Sequence, residues 1–198
     1  MQTLAVLISG NGSNLQSIID TIGADRISVV ISNNADAYGL IRARKHNIDT
    51  LVINHQLYNS RDQYDQALQE CLQCYDPDFI VLAGFMRILG SDFVQQYENK
   101  ILNIHPSLLP KYKGLNTYQR ALDNNETEHG VSIHLVTAEL DDGPILMQQR
   151  YKIEKGDTVE DLQEKGHKLE HRMYPKLILM LLSKDYRIVE HLGEFFLI

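Results

Sequence analysis

Short apolar runs alternate with stretches of helical spacing through the first hundred residues, and this alternation limits the folds open to the chain. The runs are Leu4 to Ser9, Ile27 to Ile31, Thr50 to Ile53, Phe79 to Ala83 and the one that opens at Ile101. Between them, Leu15, Ile18, Ile19 and Ile22 lie on one helical face, and Leu40, Ile41 and Ala43 supply a second helix from about Tyr38 to His46. A third helix is capped by Ser60 and stopped near Tyr75 by Asp76-Pro77; a fourth is capped by Ser91 and reaches about Tyr97. Strand and helix in strict succession indicate parallel strands joined by helical crossovers. The unbroken apolar character of Phe79 to Ala83 suits a strand covered on both faces. The expected N-terminal half is therefore a Rossmann-like, doubly wound parallel sheet.

The pattern changes after residue 106. A polar, glycine-containing loop from Lys111 to Asn116 precedes a short helix from Thr117 to about Asn124. Val131 to Val136 alternates apolar and polar residues, as does part of Ile145 to Ile153, and the turn cluster Leu140-Asp-Asp-Gly-Pro144 joins them. Alternation across a short connection predicts an antiparallel pair. Thr158, with Asp161 three residues on, opens a long helix to about Ser183, and a short strand and tail follow from Tyr186. The fold class is α/β: one mixed sheet with a parallel half (1–106) and an antiparallel addition (107–198), in a single domain. At 198 residues the chain is long enough for one sizeable core and short for two.

The formal net charge of -7, without any basic run, argues against a nucleic-acid or membrane-surface protein. No apolar segment approaches the length of a membrane span, and no secretory signal is visible. Cys71 and Cys74 fall within a helical pattern, without a second ligand pair, and read as helix cysteines in a reducing cytoplasm.

Two polar residues interrupt the run from Ile101. Asn103 and His105 are two apart, so on a strand they share one face, and Pro106 ends the strand with His105 at its tip. Alone, this is equally a core strand with two hydrogen-bonded polar groups. A partner for His105 is available in Asp141 or Asp142, and the spacing does not choose between them. A carboxylate beside an imidazole favours its charged form, and an imidazolium with a carboxamide stabilises an oxyanion.

Gly10-Asn-Gly-Ser-Asn14 is a second candidate, a strand–loop–helix turn with glycines for close backbone approach and with Ser13 and Asn14 as donors. It lacks the Gly-Lys-Ser/Thr of a Walker loop, and Leu15 stands where a dinucleotide fingerprint has its third glycine. A monophosphate suits it better. His134 either lines the same cavity as His105 or faces solvent. The other histidines read as surface residues, and the His167/His171 pair lacks a third metal ligand.

Four motifs together, Ser9-Gly-Asn-Gly-Ser-Asn-Leu15, Leu82-Ala-Gly-Phe-Met-Arg-Ile-Leu89, Leu102-Asn-Ile-His-Pro-Ser-Leu-Leu-Pro110 and Glu139-Leu-Asp-Asp-Gly-Pro144, resemble the phosphoribosylglycinamide (GAR) formyltransferases of purine synthesis. The resemblance runs from Leu4 through the long helix. It implies a three-layer formyltransferase-type fold, with 10-formyltetrahydrofolate as co-substrate and no metal. It further implies that Gly12, Ser13 and Asn14 hold the GAR phosphate and that Glu170 contacts its sugar. Arg61, Met86, Arg87, Ile88, Leu89 and Asn103 would bind the folate. Asn103, His105 and Asp141 would form the catalytic trio, with His134 behind them, which selects Asp141 over Asp142. The partners implied are small molecules only, acting on a cytoplasmic monomer or homodimer.

The chain departs from the family at Asp142, commonly a small residue there, and at Asn116 and Tyr118, which replace histidines of some members. Asp142 would add negative charge beside His105. Methionyl-tRNA formyltransferase shares the Asn-x-His…Asp core but needs a further tRNA-holding domain. A formyltetrahydrofolate hydrolase would leave the phosphate loop without a purpose. A phosphate-ligand binding module would bind GAR without formylating it.

Overall fold

The computed structural model describes residues 1–183 and the backbone of residues 188–191 and 194–197. The chain divides into two compact units, Met1–Asn103 and Ile104–Ile198.

The first unit runs β1 (Leu4–Ile8), α1 (Ser13–Ile22), β2 (Ile27–Ser32), α2 (Tyr38–Lys45), β3 (Thr50–Val52), α3 (Arg61–Tyr75), β4 (Phe79–Leu82), α4 (Ser91–Gln96) and β5 (Ile101–His105), whose last two residues open the second unit. The strands pair in parallel, β1 between β2 and β4, with β3 outside β2 and β5 outside β4. Every residue of β1 is fully buried, as an inner strand of a two-faced sheet requires. The first connection thus goes to one side of β1 and a later one to the other. This creates a topological switch at the C-terminal end of β1, where open α/β sheets take their ligands. The loop Gly10–Asn14 leaves the sheet at that point.

Local signals account for the helices. Leu15, Ile18 and Ile19 are the buried face of α1. Ser60 caps α3 by accepting from the Gln63 N–H at 3.2 Å, and Asp76 turns left-handed (φ 43°) to end it before Pro77. The start of α4 differs from expectation. Gly90 is the N-cap and Ser91 the first helical residue, because the buried Asp65 carboxylate accepts from the Gly90 N–H at 2.7 Å and organises this helix start from α3.

The second unit contains α5 (Thr117–Asp123), β6 (Glu128–Leu135), β7 (Ile145–Lys152), α6 (Val159–Leu182), β8 (Ile188–His191) and β9 (Glu194–Leu197). β6 and β7 pair antiparallel, with an irregularity between Ile133 and His134. Thr158 and Asp161 form a reciprocal capping box that starts α6. Such a cap contributes about 1 kcal/mol. One face of α6 (Leu162, Gly166, Glu170, Met173, Tyr174, Leu177, Leu181) is buried, and Glu170 is its one carboxylate. At the C-terminus two strands, β8 and β9, pair antiparallel where a single strand and tail were expected. Residues 186–187 and 198 of that expectation lie outside the described residues.

Strands β1 to β7 hydrogen-bond in the order β3-β2-β1-β4-β5-β6-β7, the mixed sheet expected of this sequence. Among the described residues, no helix is long and apolar enough to cross a membrane.

Candidate active site

β5 ends at His105, as the proline at 106 dictates. The segment that follows is pinned to its own unit by three backbone contacts. His129 Nε2 lies 2.9 Å from the Pro106 carbonyl, and Ser132 Oγ donates to the Ser107 carbonyl at 2.7 Å and accepts from the Leu109 N–H at 3.1 Å. His105 itself is 6% exposed. Its Nδ1 lies 3.4 Å from Asp141 Oδ2, and its Nε2 faces the Tyr112 carbonyl at 2.9 Å. Both ring nitrogens thus face oxygen atoms, one of a carboxylate and one of a backbone carbonyl.

Asp141 reaches this position through its turn. A Cβ at Gly143 would lie 1.8 Å from the Leu135 carbonyl oxygen, so only glycine lets the turn close on the end of β6. The Leu135 N–H donates to the Pro144 carbonyl at 2.9 Å, which seals it. Asp141 sits in the left-handed region (φ 48°), a conformation that aspartate tolerates better than most residues. Its Oδ2 accepts from the Gly114 N–H at 2.9 Å, and its Oδ1 lies 3.6 Å from His134 Nε2. Burial alone would raise the Asp141 carboxyl. The hydrogen bonds from His134 and Gly114 and the charges of His105 and His134 outweigh it and hold the group below the usual carboxylate range. Asp142 turns the other way, to Lys113 Nζ at 2.5 Å, and is half exposed. Its charge is met there.

His134 is 2% exposed and does not face solvent. Its Nδ1 lies 2.7 Å from the Leu135 carbonyl, leaving Nε2 directed at Asp141. Asp141 therefore stands between two imidazoles, with an N–H of the 111–116 loop on one oxygen. Asn103 is two residues before His105 on β5 and is partly exposed.

In the first unit, Gly12 is the N-cap of α1 with φ 74° and no side-chain cap. Its Cα packs against α2, where an added Cβ would lie 2.6 Å from the Gly39 Cα. The Gly39 N–H donates to the Gly10 carbonyl at 3.0 Å. Arg42 grips the loop from the same helix, with Nε on the Asn11 carbonyl at 2.9 Å and Nη2 on Asn11 Oδ1 at 3.1 Å. The loop is held from behind while Ser13 and Asn14 begin the helix, so the positive end of α1 and its leading N–H groups are presented at the end of β1.

Residues 2–178 match the family model described as formyl transferase. The chain belongs to the formyl transferase family. It is 48% identical over 179 residues to the phosphoribosylglycinamide formyltransferase of Escherichia coli K12, spanning 88% of this chain and 84% of the relative. It is 43% identical over 192 residues to the trifunctional purine biosynthetic protein adenosine-3 of Bos taurus, 95% of this chain but 19% of that longer protein. A solved structure of a phosphoribosylglycinamide formyltransferase from Coxiella burnetii has a TM-score of 0.93 at 49% identity, covering 99% of this chain and 93% of the other.

The remaining expected residues of this formyl transferase divide between the two units. Arg61 is exposed at the first position of α3. Met86 and Ile88 are 70% and 51% exposed on the loop after β4, whereas Leu89 is buried and the Arg87 guanidinium stacks over the Tyr64 ring at 5.4 Å. Glu170 lies on the buried face of α6, and its charge adds to burial in raising the Tyr118 and Tyr151 phenols. Tyr118 lies in α5, the short helix expected from Thr117, and packs its hydroxyl against Gly166 of α6.

Sequence reading missed Arg42, Ser132 and His129. His129, taken for a surface residue, is 1% exposed and ringed by Tyr112, Tyr118 and Tyr151 at 5.3 to 6.2 Å between centroids. Burial lowers its imidazole below the usual histidine range. His55, His167 and His171 are half-buried, His46 is exposed as expected, and the His191 side chain lies outside the described residues. Ser132 had a usable signal, since it shares a face of β6 with His134; Arg42 had none beyond its place on α2.

Proposed function

We propose that this formyl transferase moves the formyl group of 10-formyltetrahydrofolate to the amine of GAR, giving formylglycinamide ribonucleotide and tetrahydrofolate in de novo purine synthesis. The buried contact of His105 with Asp141 is the observation that carries the reading. A formyl group becoming tetrahedral places negative charge on its oxygen, and a charged imidazole near a carboxamide is suited to receive it.

The neutral GAR amine attacks the formyl carbon and forms the new C–N bond while the carbonyl pair moves to oxygen. Protonated His105 and the Asn103 carboxamide stabilise that oxyanion. Asp141 keeps His105 charged and helps pass the proton, through water, from the attacking amine to the folate nitrogen as the old C–N bond breaks. Gly12, Ser13 and Asn14 take the GAR phosphate at the N-terminus of α1, and Glu170 takes the sugar. Arg61 and Met86 to Leu89 bind the folate, and His134 orients Asp141. No metal is needed, because each charge that develops has a protein donor or acceptor. Fixing both reactants contributes the entropic part of the acceleration.

The 198 residues act as one catalytic domain, a reading supported by a single family model that spans nearly all of it. The free Cys71 and Cys74 suit a cytoplasmic enzyme, working as a monomer or homodimer on small molecules. The test is formyl transfer from 10-formyltetrahydrofolate with and without GAR. Folate turnover that ignores GAR would indicate a hydrolase, and GAR binding without transfer would indicate a binding module.

A further inference from the structure

We propose that Ser9, the residue immediately before the phosphate loop, is the positioning residue for the folate-binding loop. This rests on the functional reading above, which gives the Gly12–Asn14 turn to GAR and the Met86–Leu89 loop to the formyl donor.

Ser9 follows the last residue of β1, at the switch point of the sheet. Its hydroxyl accepts from the Met86 N–H at 2.7 Å and donates to Asn33 Oδ1 at 2.6 Å. A hydroxyl has one proton and two lone pairs. With the proton committed to Asn33, a lone pair is left for Met86, so the direction of both bonds is fixed.

Asn33 is a firm anchor. It is 5% exposed, its Oδ1 accepts from Ser9, and both its Nδ2 and its backbone carbonyl lie 3.3 Å from His55 Nδ1. A continuous polar chain thus crosses the C-terminal ends of β2, β1 and β4: His55, Asn33, Ser9 and the backbone of Met86.

The loop on the receiving end needs such support. It leaves β4 through Gly84 in the left-handed region (φ 74°), with open space around its Cα, and its Met86 and Ile88 side chains are largely exposed. Its far end is tied by Asp65 to the Gly90 N–H at 2.7 Å. Ser9 ties the near end. Between these two ties lie Arg87, Ile88 and Leu89, three of the residues given to the donor in the proposed reading.

Ser9 therefore belongs to one substrate loop by sequence and to the other by hydrogen bond. Removing the hydroxyl would leave the Met86 N–H without its acceptor and loosen the donor loop, while Gly39 and Arg42 still hold Gly10 and Asn11 at the start of the phosphate loop. The expected defect is selective for the formyl donor.

The experiment compares wild type, Ser9→Ala and Ser9→Thr in the GAR-dependent transfer assay, with KM measured separately for each substrate. Ser9→Ala is expected to raise the KM for 10-formyltetrahydrofolate about three- to tenfold, the effect of one net hydrogen bond. The GAR KM should change less than twofold, and kcat should fall by less than the donor KM rises. Ser9→Thr keeps the hydroxyl and should restore most of the difference. Amide exchange at Met86 should quicken in Ser9→Ala and not in Ser9→Thr. An unchanged donor KM, or equal rises in both KM values with a lowered melting temperature, would overturn the proposal. If Ser9→Ala does not fold, Ser9→Cys replaces it under the same criteria. A wild type inactive towards GAR would refute the functional reading instead, and Met86 exchange would still decide whether Ser9 holds the loop.

Discussion

The carboxylate of Asp141 lies 3.4 Å from Nδ1 of His105 in a setting where both side chains are less than a tenth exposed. The neighbouring Asp142 is half exposed and bound to Lys113. Two adjacent carboxylates thus have opposite surroundings. Asp141→Asn keeps the shape but removes the negative charge beside His105, and kcat is expected to fall by roughly 10²-fold or more. Asp142→Asn should change kcat by less than about threefold, as is usual for an exposed ion pair. Steady-state kinetics of the two variants, side by side, check this.

In the proposed mechanism, His105→Ala removes the imidazole donor to the developing oxyanion. The expected loss is roughly 10²–10³-fold in kcat. GAR binding, measured by calorimetry, should stay within about threefold of wild type, since the phosphate loop is untouched. Near-normal turnover would sink the assignment of His105.

Gly12→Ala would place a Cβ 2.6 Å from the Gly39 Cα and force a left-handed conformation on an L side chain. The conformation alone costs about 1–2 kcal/mol, and the clash pushes the loop from α2. Both a lower melting temperature and a higher GAR KM are expected. Arg42→Ala, by contrast, frees Asn11 without strain, so its GAR KM should rise with little loss of thermal stability. Thermal denaturation together with GAR kinetics separates the two variants.

His129 gives stability a pH dependence of definite sign. Burial lowers its pKa in the fold from the ordinary 6.5, partly offset by the Pro106 carbonyl and the Glu126 charge. The unfolded chain therefore takes up a proton first as pH falls. The contribution of neutral His129 is fully present above pH 6.5 and is lost progressively below it, through the lower folded value. Asp141 is likewise depressed in the fold, from 3.8, so its contribution is present above that value and disappears as pH falls through the folded one. His129→Gln can still donate to the Pro106 carbonyl but does not titrate. Its melting temperature should vary less between pH 7 and pH 5 than that of the wild type.

Most of the architecture was legible because strand and helix periods are local. β1, β5, α1 and α3 fall within a residue or two of their expected bounds for that reason. Apart from the β8–β9 pair, the misreadings turn on contacts or turn geometry that local periodicity does not carry. Ser91 is the better N-cap by type, yet Asp65, 25 residues upstream, organises the helix start at Gly90. His129 sits in a polar stretch, and only the rings of Tyr112, Tyr118 and Tyr151 bury it. Spacing could not choose between Asp141 and Asp142. The choice is made by the left-handed turn at Asp141 and by the close fit of Gly143 against Leu135, neither of which has a period to read. His134 was undecided for the same reason, since its face became known only when the turn was placed beside it.

The central claim is formyl transfer to GAR through the His105–Asp141 pair. Its most direct test is formylglycinamide ribonucleotide production from GAR and 10-formyltetrahydrofolate by wild type and Asp141→Asn, with folate turnover followed in the same reaction. The prediction is GAR-dependent product from the wild type, in step with tetrahydrofolate release, and a rate lower by roughly 10²-fold or more in the variant. Absence of formylated GAR with wild type, or equal rates in the two proteins, would contradict it.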